Sequence, residues 1–409
     1  MTAAPAAIGL ANSTERFGSV AKTLHWATAL LILTLIPLGL VAKNWPYDTS
    51  DALAIKAMLF SLHKTLGVAT FFVAVVRILW AVVQPRPVAL GTAHGWQAFM
   101  AEVVHYALYA ALIIVPLSGW LHHAATDGFA PIWWPFGQNL PFIPTSEPLA
   151  AALAQIHFAA SFLLAGLIGL HIAGALKHHV IDRDPTLLRM LPGRRDLEIS
   201  VPTAPAPHSM APVFSATGIW ALVIAGGIGL GLSAPRDTVA AATLEAVPSG
   251  WQVQDGTLGI TVMQFSQPVA GSFGDWTAAI EFSEAAEDGV HGMVDVTIAI
   301  GTLTLGSVSA QATGAEFLNA DAFATAQFTG PIVATPTGYA VDGSFTLLET
   351  TLPLTLPFNL EIDGDTARAS GTATIDRRDF GVGQAYPDES SVGFAVEIAF
   401  DLTALRSAD

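Results

Sequence analysis

The chain of 409 residues contains no cysteine. That excludes disulfides, cysteine-ligated iron–sulfur clusters, thiolate zinc and covalent c-type haem attachment. Charge is scarce as well: 12% of residues are charged against 52% hydrophobic, a balance foreign to ordinary soluble chains. No Gly-x-Gly-x-x-Gly follows a strand pattern and no P-loop occurs, so nucleotide chemistry has no support. Beyond Asp237 lysine is absent and only Arg368, Arg377, Arg378 and Arg406 are basic, while most of the chain's 33 carboxylates lie there. Such an acidic balance argues against nucleic acid as a partner.

What is present is apolar length. The stretches Val20–Ala42, Leu59–Val83, Phe99–Leu121, Leu153–Val180 and Val213–Leu232 each approach or exceed the ~20 residues of a spanning helix, which predicts five membrane spans. The first is too long for a signal-peptide core, and Met1–Ser13 carries no basic residue, so it reads as an uncleaved anchor. Pro37 and Pro116 are candidate kinks, common in membranes and not functional by themselves. Arg16, Lys22, Arg77, Arg86, Lys177, Arg183, Arg189, Arg194 and Arg195 fall on one side, which the positive-inside rule makes cytoplasmic. The loop between spans three and four has Asp127 and Glu147 but no lysine or arginine, so it belongs outside. Lys43, Lys56 and Lys64 oppose this, and Asp48 and Asp51 offset them only in part. The bias still places the amino terminus in the cytoplasm and the region after the fifth span in the periplasm.

Histidines interrupt the apolar runs. His157 and His171 are fourteen residues apart, which on a helix means roughly 21 Å in depth and within about 40° of one face. Sorted by depth, His63 matches His157 near the outer side and His25 matches His171 near the inner side. Paired neutral imidazoles suit a six-coordinate haem iron, and with no cysteine that haem is noncovalent. Gly166 and Gly169 lie between the two histidines of span four, where missing side chains leave room for a flat macrocycle. The competing reading of each histidine is a hydrogen bond to a neighbouring helix. His105 is a candidate for a quinone pocket, for haem ligation in place of His25, or for a bond to a backbone carbonyl. His178 and His179 are candidates for haem propionates, a quinone or lipid phosphates, with snorkelling as the alternative. His122 and His123 fall at the outer boundary and read as interfacial. Lys22, Lys64 and Arg77 are propionate partners or helix-end anchors.

After Val201-Pro-Thr-Ala-Pro-Ala-Pro-His208, a semi-rigid Pro/Ala linker, the pattern changes. Leu352, Leu354, Leu356, Phe358, Leu360 and Ile362 alternate with other residues, as do Val392, Phe394, Val396, Ile398, Phe400 and Leu402. Period two over that length means strand, and Asp342-Gly343 and Asp363-Gly364 read as turns, so an antiparallel barrel or sandwich is expected. The organisation is therefore a four-helix membrane domain over 1–198, a linker over 199–212, a fifth transmembrane helix over 213–232 and an all-β domain over 245–407.

The runs Lys22-Thr-Leu-His25-Trp26, Leu62-His63-Lys64-Thr-Leu-Gly67, His105-Tyr-Ala-Leu-Tyr109, Pro116-Leu-Ser-Gly119, Leu170-His171-Ile-Ala-Gly-Ala-Leu-Lys-His178-His179 and Asp184-Pro-Thr-Leu-Leu-Arg-Met-Leu-Pro192 resemble bacterial cytochrome b561 over residues 14–195. The resemblance implies a four-helix inner-membrane cytochrome with two b haems, ligated by His25 with His171 and by His63 with His157. It also implies electron exchange with ubiquinone and, for some relatives, oxidation of periplasmic superoxide. The tail, through Trp251, Phe265-Ser-Gln-Pro-Val-Ala-Gly-Ser-Phe273-Gly-Asp-Trp276, Glu316-Phe-Leu-Asn-Ala-Asp-Ala-Phe323 and Ile375-Asp-Arg-Arg-Asp-Phe-Gly-Val-Gly383, resembles the YceI family. That implies a periplasmic, lipocalin-like barrel holding a polyisoprenoid or the tail of a quinone. The His-Ser pair usual in that family after the first tryptophan is replaced here around Thr257-Leu-Gly259.

Together these readings predict a multi-pass di-haem cytochrome moving electrons from a small one-electron donor, such as superoxide, to the quinone pool, with a barrel tethered beside it. Two alternatives stay open: an isoprenoid carrier whose cytochrome half is an anchor or generic relay, and reversed flow from quinol to an external acceptor. Self-association as a homodimer is open too.

Overall fold

The protein is described by a computed structural model covering residues 9–88, 95–126, 130–193, 209–233, 242–245 and 247–407. Asp127, Arg194, Arg195 and residues 199–208 of the expected linker lie outside them. The chain divides into two compact units, one of Met1–Asn44, Met58–Ala125 and Pro131–Ala234, the other of Trp45–Ala57, Thr126–Ala130 and Pro235–Asp409.

Among the described residues five helices are long and apolar enough to cross a membrane: α1 (Ser19–Asn44), α2 (Ser50–Val83), α3 (Trp96–Ala124), α4 (Glu147–Lys177) and, after the short α5 (Thr186–Met190), α6 (Ala211–Ser233). Helix is the backbone's answer to a solvent without hydrogen-bonding partners. Hydroxyls within these runs follow the same rule, Thr28 donating to the Leu24 carbonyl at 2.6 Å, Thr70 to Leu66 at 2.7 Å and Ser161 to His157 at 2.7 Å. The second helix begins nine residues before the apolar window, at Ser50, because Ser50–Met58 contains no glycine or proline to break it.

Helices α3, α4 and α6 meet through small side chains. Ala107, Ala111, Ala160 and Ala216 are buried with Leu112, Leu164 and Trp220, and Ile32 of α1 and Ala74 of α2 join that core. The Trp220 indole donates to the Ala107 carbonyl at 3.0 Å, which ties α6 to α3. A Cβ on Gly231 would stand 2.4 Å from the Cα of Ala152, so only glycine lets α6 approach α4 this closely. After α4 a π-turn, His178–Asp182, ends in a left-handed Arg183 at φ 56°, and Pro185 follows. The segment behind it folds back beneath the bundle: Trp26 donates to the Met190 carbonyl at 2.8 Å, Lys22 to Leu191 and Gly193 at 3.2 Å each, and Arg189 to Val88 at 2.8 Å. Lys22, a candidate for haem carboxylates by sequence, is engaged with backbone here.

The second unit holds one ten-stranded antiparallel sheet. Its strands are β1 (Trp251–Gln264), β2 (Gln267–Phe273), β3 (Trp276–Glu287), β4 (Val290–Ala299), β5 (Leu303–Thr304), β6 (Thr325–Thr335), β7 (Gly338–Leu347), β8 (Thr350–Asp363), β9 (Thr366–Asp376) and β10 (Val392–Arg406). In the order β3-β4-β6-β7-β8-β9-β10-β1-β2-β5 the sheet curls until β3 meets the chain entering β1. There Ile280 N–H donates to Ser249 Oγ at 2.7 Å, and Gly250 N–H to Glu281 Oε1 at 2.9 Å. This is the antiparallel, lipocalin-like barrel class that the alternation predicted.

Along β8 the alternation is strict, with Leu352, Leu354, Leu356, Phe358, Leu360 and Ile362 turned inward. Asp363-Gly364 makes its turn, Gly364 standing at φ 61°. Asp342-Gly343 does not: both residues lie inside β7, where a Cβ on Gly343 would come within 2.4 Å of the Thr329 carbonyl oxygen. Close strand approach, not a turn, is what that glycine serves. Phe394 also departs from its expected face, because the β1–β10 register shifts between Val262 and Gln264. Its ring lies 3.7 Å from the Arg378 guanidinium carbon.

Candidate functional site: paired histidines and an apolar interior

The four histidines singled out by depth form two pairs. His63 of α2 and His157 of α4 have ring centroids 6.3 Å apart, and His25 of α1 and His171 of α4 have theirs 6.2 Å apart. A metal–imidazole bond of about 2 Å, plus about 1.1 Å from nitrogen to ring centre, puts two imidazoles on opposite sides of one metal ~6.2 Å apart. Both pairs therefore have the ring separation of a bis-imidazole iron.

Neighbouring groups aim the outer pair. His157 Nδ1 donates to the Val115 carbonyl at 2.9 Å, which leaves Nε2 with its lone pair free for a metal. Gly39 of α1 and Gly119 of α3 hold the two rings from behind. A Cβ on Gly39 would lie 2.8 Å from His63 Cε1, and one on Gly119 would lie 2.9 Å from His157 Cε1 and Nδ1. No heavy atom lies within 4 Å of a Cβ built on Gly166 or Gly169, so space borders the histidine line of α4. The donor set and this space fit noncovalent haem.

The inner pair is arranged differently. Arg77 Nη2 donates to His25 Nδ1 at 3.0 Å. A neutral imidazole accepting there carries its proton on Nε2, so coordination through Nε2 requires Arg77 to let go. Released, the guanidinium is free for a carboxylate, the role open to it from sequence. His105 stands with its ring 5.2 Å from that of His171, edge to face, and its Nδ1 donates to the Ala101 carbonyl at 2.6 Å. The backbone bond is thus realised, and the ring also borders the inner pair.

Farther along, His178 Nδ1 lies 2.6 Å from Asp184 Oδ2 and 3.2 Å from Asp182 Oδ2, while Lys177 Nζ pairs with Asp182 at 2.6 Å. Asp184 sits below the ordinary carboxylate range: burial works against this, but bonds from Thr186 and His178 outweigh it. His123 is buried within the protein, lying 3.3 Å from Lys64 Nζ and 3.1 Å from Gln138 Oε1. Gln138, in a loop, carried no sequence signal. His122 bonds the Ala150 carbonyl at 2.9 Å.

The barrel interior holds two apolar cavities of about 130 and 140 Å³. Leu258, Ile298, Phe345 and Ile398 line both and form a waist between them. Trp251 and Gln264, at opposite ends of β1, line different chambers.

Residues 16–193 match the family model described as prokaryotic cytochrome b561, and residues 251–404 match the YceI-like domain. Cytochrome b561 homolog 2 of Escherichia coli K12 is 34% identical over 184 residues, 44% of this chain and 93% of that protein. "Probable superoxide oxidase CybB" of Yersinia pestis is 30% identical over 135 residues, 33% of this chain and 75% of that one. Among solved structures, Burkholderia cenocepacia BcnA is 27% identical and covers 36% of this chain and 95% of its own, with a TM-score of 0.34.

Proposed function

Because the chain belongs to the prokaryotic cytochrome b561 family, an inner-membrane family of b-type cytochromes, we propose that it carries electrons from a periplasmic one-electron donor, superoxide in the first instance, to ubiquinone. The observation that carries this reading is the pair of imidazole pairs, 6.2 and 6.3 Å across, one toward each end of α4. His63 and His157 would hold an outer haem, His25 and His171 an inner one. Bound haem b supplies one-electron redox chemistry at each position.

The chain's own residues do the rest. The Val115 carbonyl orients the His157 ring, Gly39 and Gly119 wedge the His63 and His157 rings, Arg77 once released from His25 is free for a haem carboxylate, and the apolar bundle keeps water from the path between the pairs. Two superoxide anions each give up one electron and leave as dioxygen, while ubiquinone takes up two electrons and two protons to become ubiquinol. His105 beside the inner pair, and His178 with its Asp184 carboxylate, are the candidates for binding the quinone and passing those protons. The lysine and arginine bias supports a cytoplasmic amino terminus and a periplasmic barrel. The Yersinia relative's printed name supports superoxide as donor. The barrel's apolar interior supports a role in holding an isoprenoid tail.

Low-temperature reduced-minus-oxidised spectra test the ligand assignment. Wild type should show two b-type signals, His63→Ala and His157→Ala should remove one, and His25→Ala and His171→Ala the other. Pulse-generated superoxide should reduce the haems of the wild type. Reduction no faster in wild type than in His63→Ala would remove superoxide as the donor, and two signals surviving the loss of a pair would overturn the assignment.

A further inference from the structure

The barrel interior is apolar throughout except at one end. In the chamber lined by Val262 and Val392, three polar side chains reach the lining: Gln264, Gln311 and Arg377. Only one of them is both buried and unspent. Gln264 is 6% exposed, and its Oε1 is buried without a hydrogen-bond partner. A buried amide left unpaired is costly, and such a group in a cavity wall marks where a ligand's polar atom belongs. Gln311 Nε2 makes one long bond, 3.5 Å, to the Tyr386 hydroxyl.

Arg377 looks like a clamp for an anionic headgroup and is not one. Its guanidinium is 3% exposed, and all five donors are taken by backbone carbonyls. Nε reaches Gly393 at 3.0 Å, Nη1 reaches Val382 and Gly383 at 2.9 Å, and Nη2 reaches Tyr386 at 2.6 Å and Val392 at 3.2 Å. It is a strut that fastens the loop after β9 to β10. The adjacent Arg378 is paired with Asp376 through both carboxylate oxygens, at 3.0 and 2.6 Å. Asp376, Glu389 and Asp388 lie close enough to offset part of the Arg377 charge, and the Arg378 cation acts against them. A phosphate entering this end would therefore find no unoccupied donor on Arg377, the one cationic side chain in the lining.

We infer that the barrel selects an isoprenoid with an uncharged, hydrogen-bond-donating headgroup, an alcohol or a quinol, seated on Gln264 Oε1, and rejects isoprenoid phosphates. This rests on the proposed isoprenoid-holding role of the barrel and names its specificity residue. The tail lies toward the waist of Leu258, Ile298, Phe345 and Ile398 and the Trp251 chamber beyond.

Native mass spectrometry of the full chain in detergent tests this with three probes that share one saturated C20 tail: phytanol, phytanyl phosphate and the headless hydrocarbon phytane. Binding that persists in Ala326→Trp, which fills the Gln264 chamber, is assigned to the membrane helices and subtracted. Wild type should retain the alcohol at least tenfold better than the phosphate. Gln264→Leu should lower retention of the alcohol about tenfold and leave phytane unchanged. Equal retention of alcohol and phosphate by wild type overturns the inference whether or not any variant folds, as does an unchanged alcohol in a folded Gln264→Leu protein. Retention of none of the three sinks the isoprenoid-holding role itself, a different result from equal retention.

Discussion

Adding one methyl group at Gly119 should cost the outer haem and spare the inner one. The new Cβ would stand 2.9 Å from His157 Cε1 and Nδ1, where an ordinary contact needs about 3.5–4.0 Å. The ring would have to retreat by roughly 0.6–1.1 Å, against a tolerance of about 0.2 Å for a metal–ligand bond. It cannot retreat freely, since its Nδ1 is held by the Val115 carbonyl at 2.9 Å. Overpacking of this kind costs about 1–3 kcal/mol, which weakens haem binding at that pair by roughly five- to 150-fold. Gly39→Ala pushes on His63 from α1 in the same way. Purified under limiting haem, both variants should fall from two haems per chain toward one by pyridine haemochromogen. Their low-temperature spectra should lose the His63/His157 signal and keep the His25/His171 signal. Full stoichiometry with both signals unshifted would refute the claim that these glycines wedge the ligands.

Three other perturbations separate packing from chemistry. Gly166→Leu fills the space beside α4, so haem content should drop while helicity by circular dichroism is kept; unchanged haem would mean that the space is not the macrocycle's. Gly231→Leu meets Ala152 backbone that cannot yield, and the thermal midpoint should fall by about 2–10 °C without loss of haem at low temperature. Asp184→Asn tests the turn after α4. Because the folded Asp184 lies below its ordinary value, its stabilisation is present above about pH 4 and is lost as pH falls through the lower folded value. Wild type should therefore melt above the variant at neutral pH, and the two should converge in acid; a constant gap down to pH 2 would contradict that.

The membrane half was legible because its physics is one-dimensional. Apolar length announces a span, and the fourteen-residue step between His157 and His171 sets depth along a single helix. What lay beyond reach depends on which helices face each other. Nothing local distinguishes Gly39 and Gly119 from other glycines in apolar runs, and the engagement of Lys22 with the chain after α5 joins positions about 170 residues apart. In the barrel, strict alternation gave away β8 and β10. Asp342-Gly343 misled because local turn chemistry and a tertiary need for bare backbone use the same residues. Gln264 was invisible for a related reason: a glutamine becomes informative only when the fold buries it without a partner.

The waist in the barrel bears on time more than on strength. Leu258, Ile298, Phe345 and Ile398 come from β1, β4, β7 and β10, four strands spread around the sheet, so no single hinge opens them together. A tail long enough to occupy both chambers must thread past all four, and must do so again to leave. For the proposed isoprenoid cargo such an interior would act as a turnstile, with exchange at the pace of side-chain rotation inside a packed wall. Substituting Phe345 by alanine would then hasten both loading and release while leaving the equilibrium far less altered.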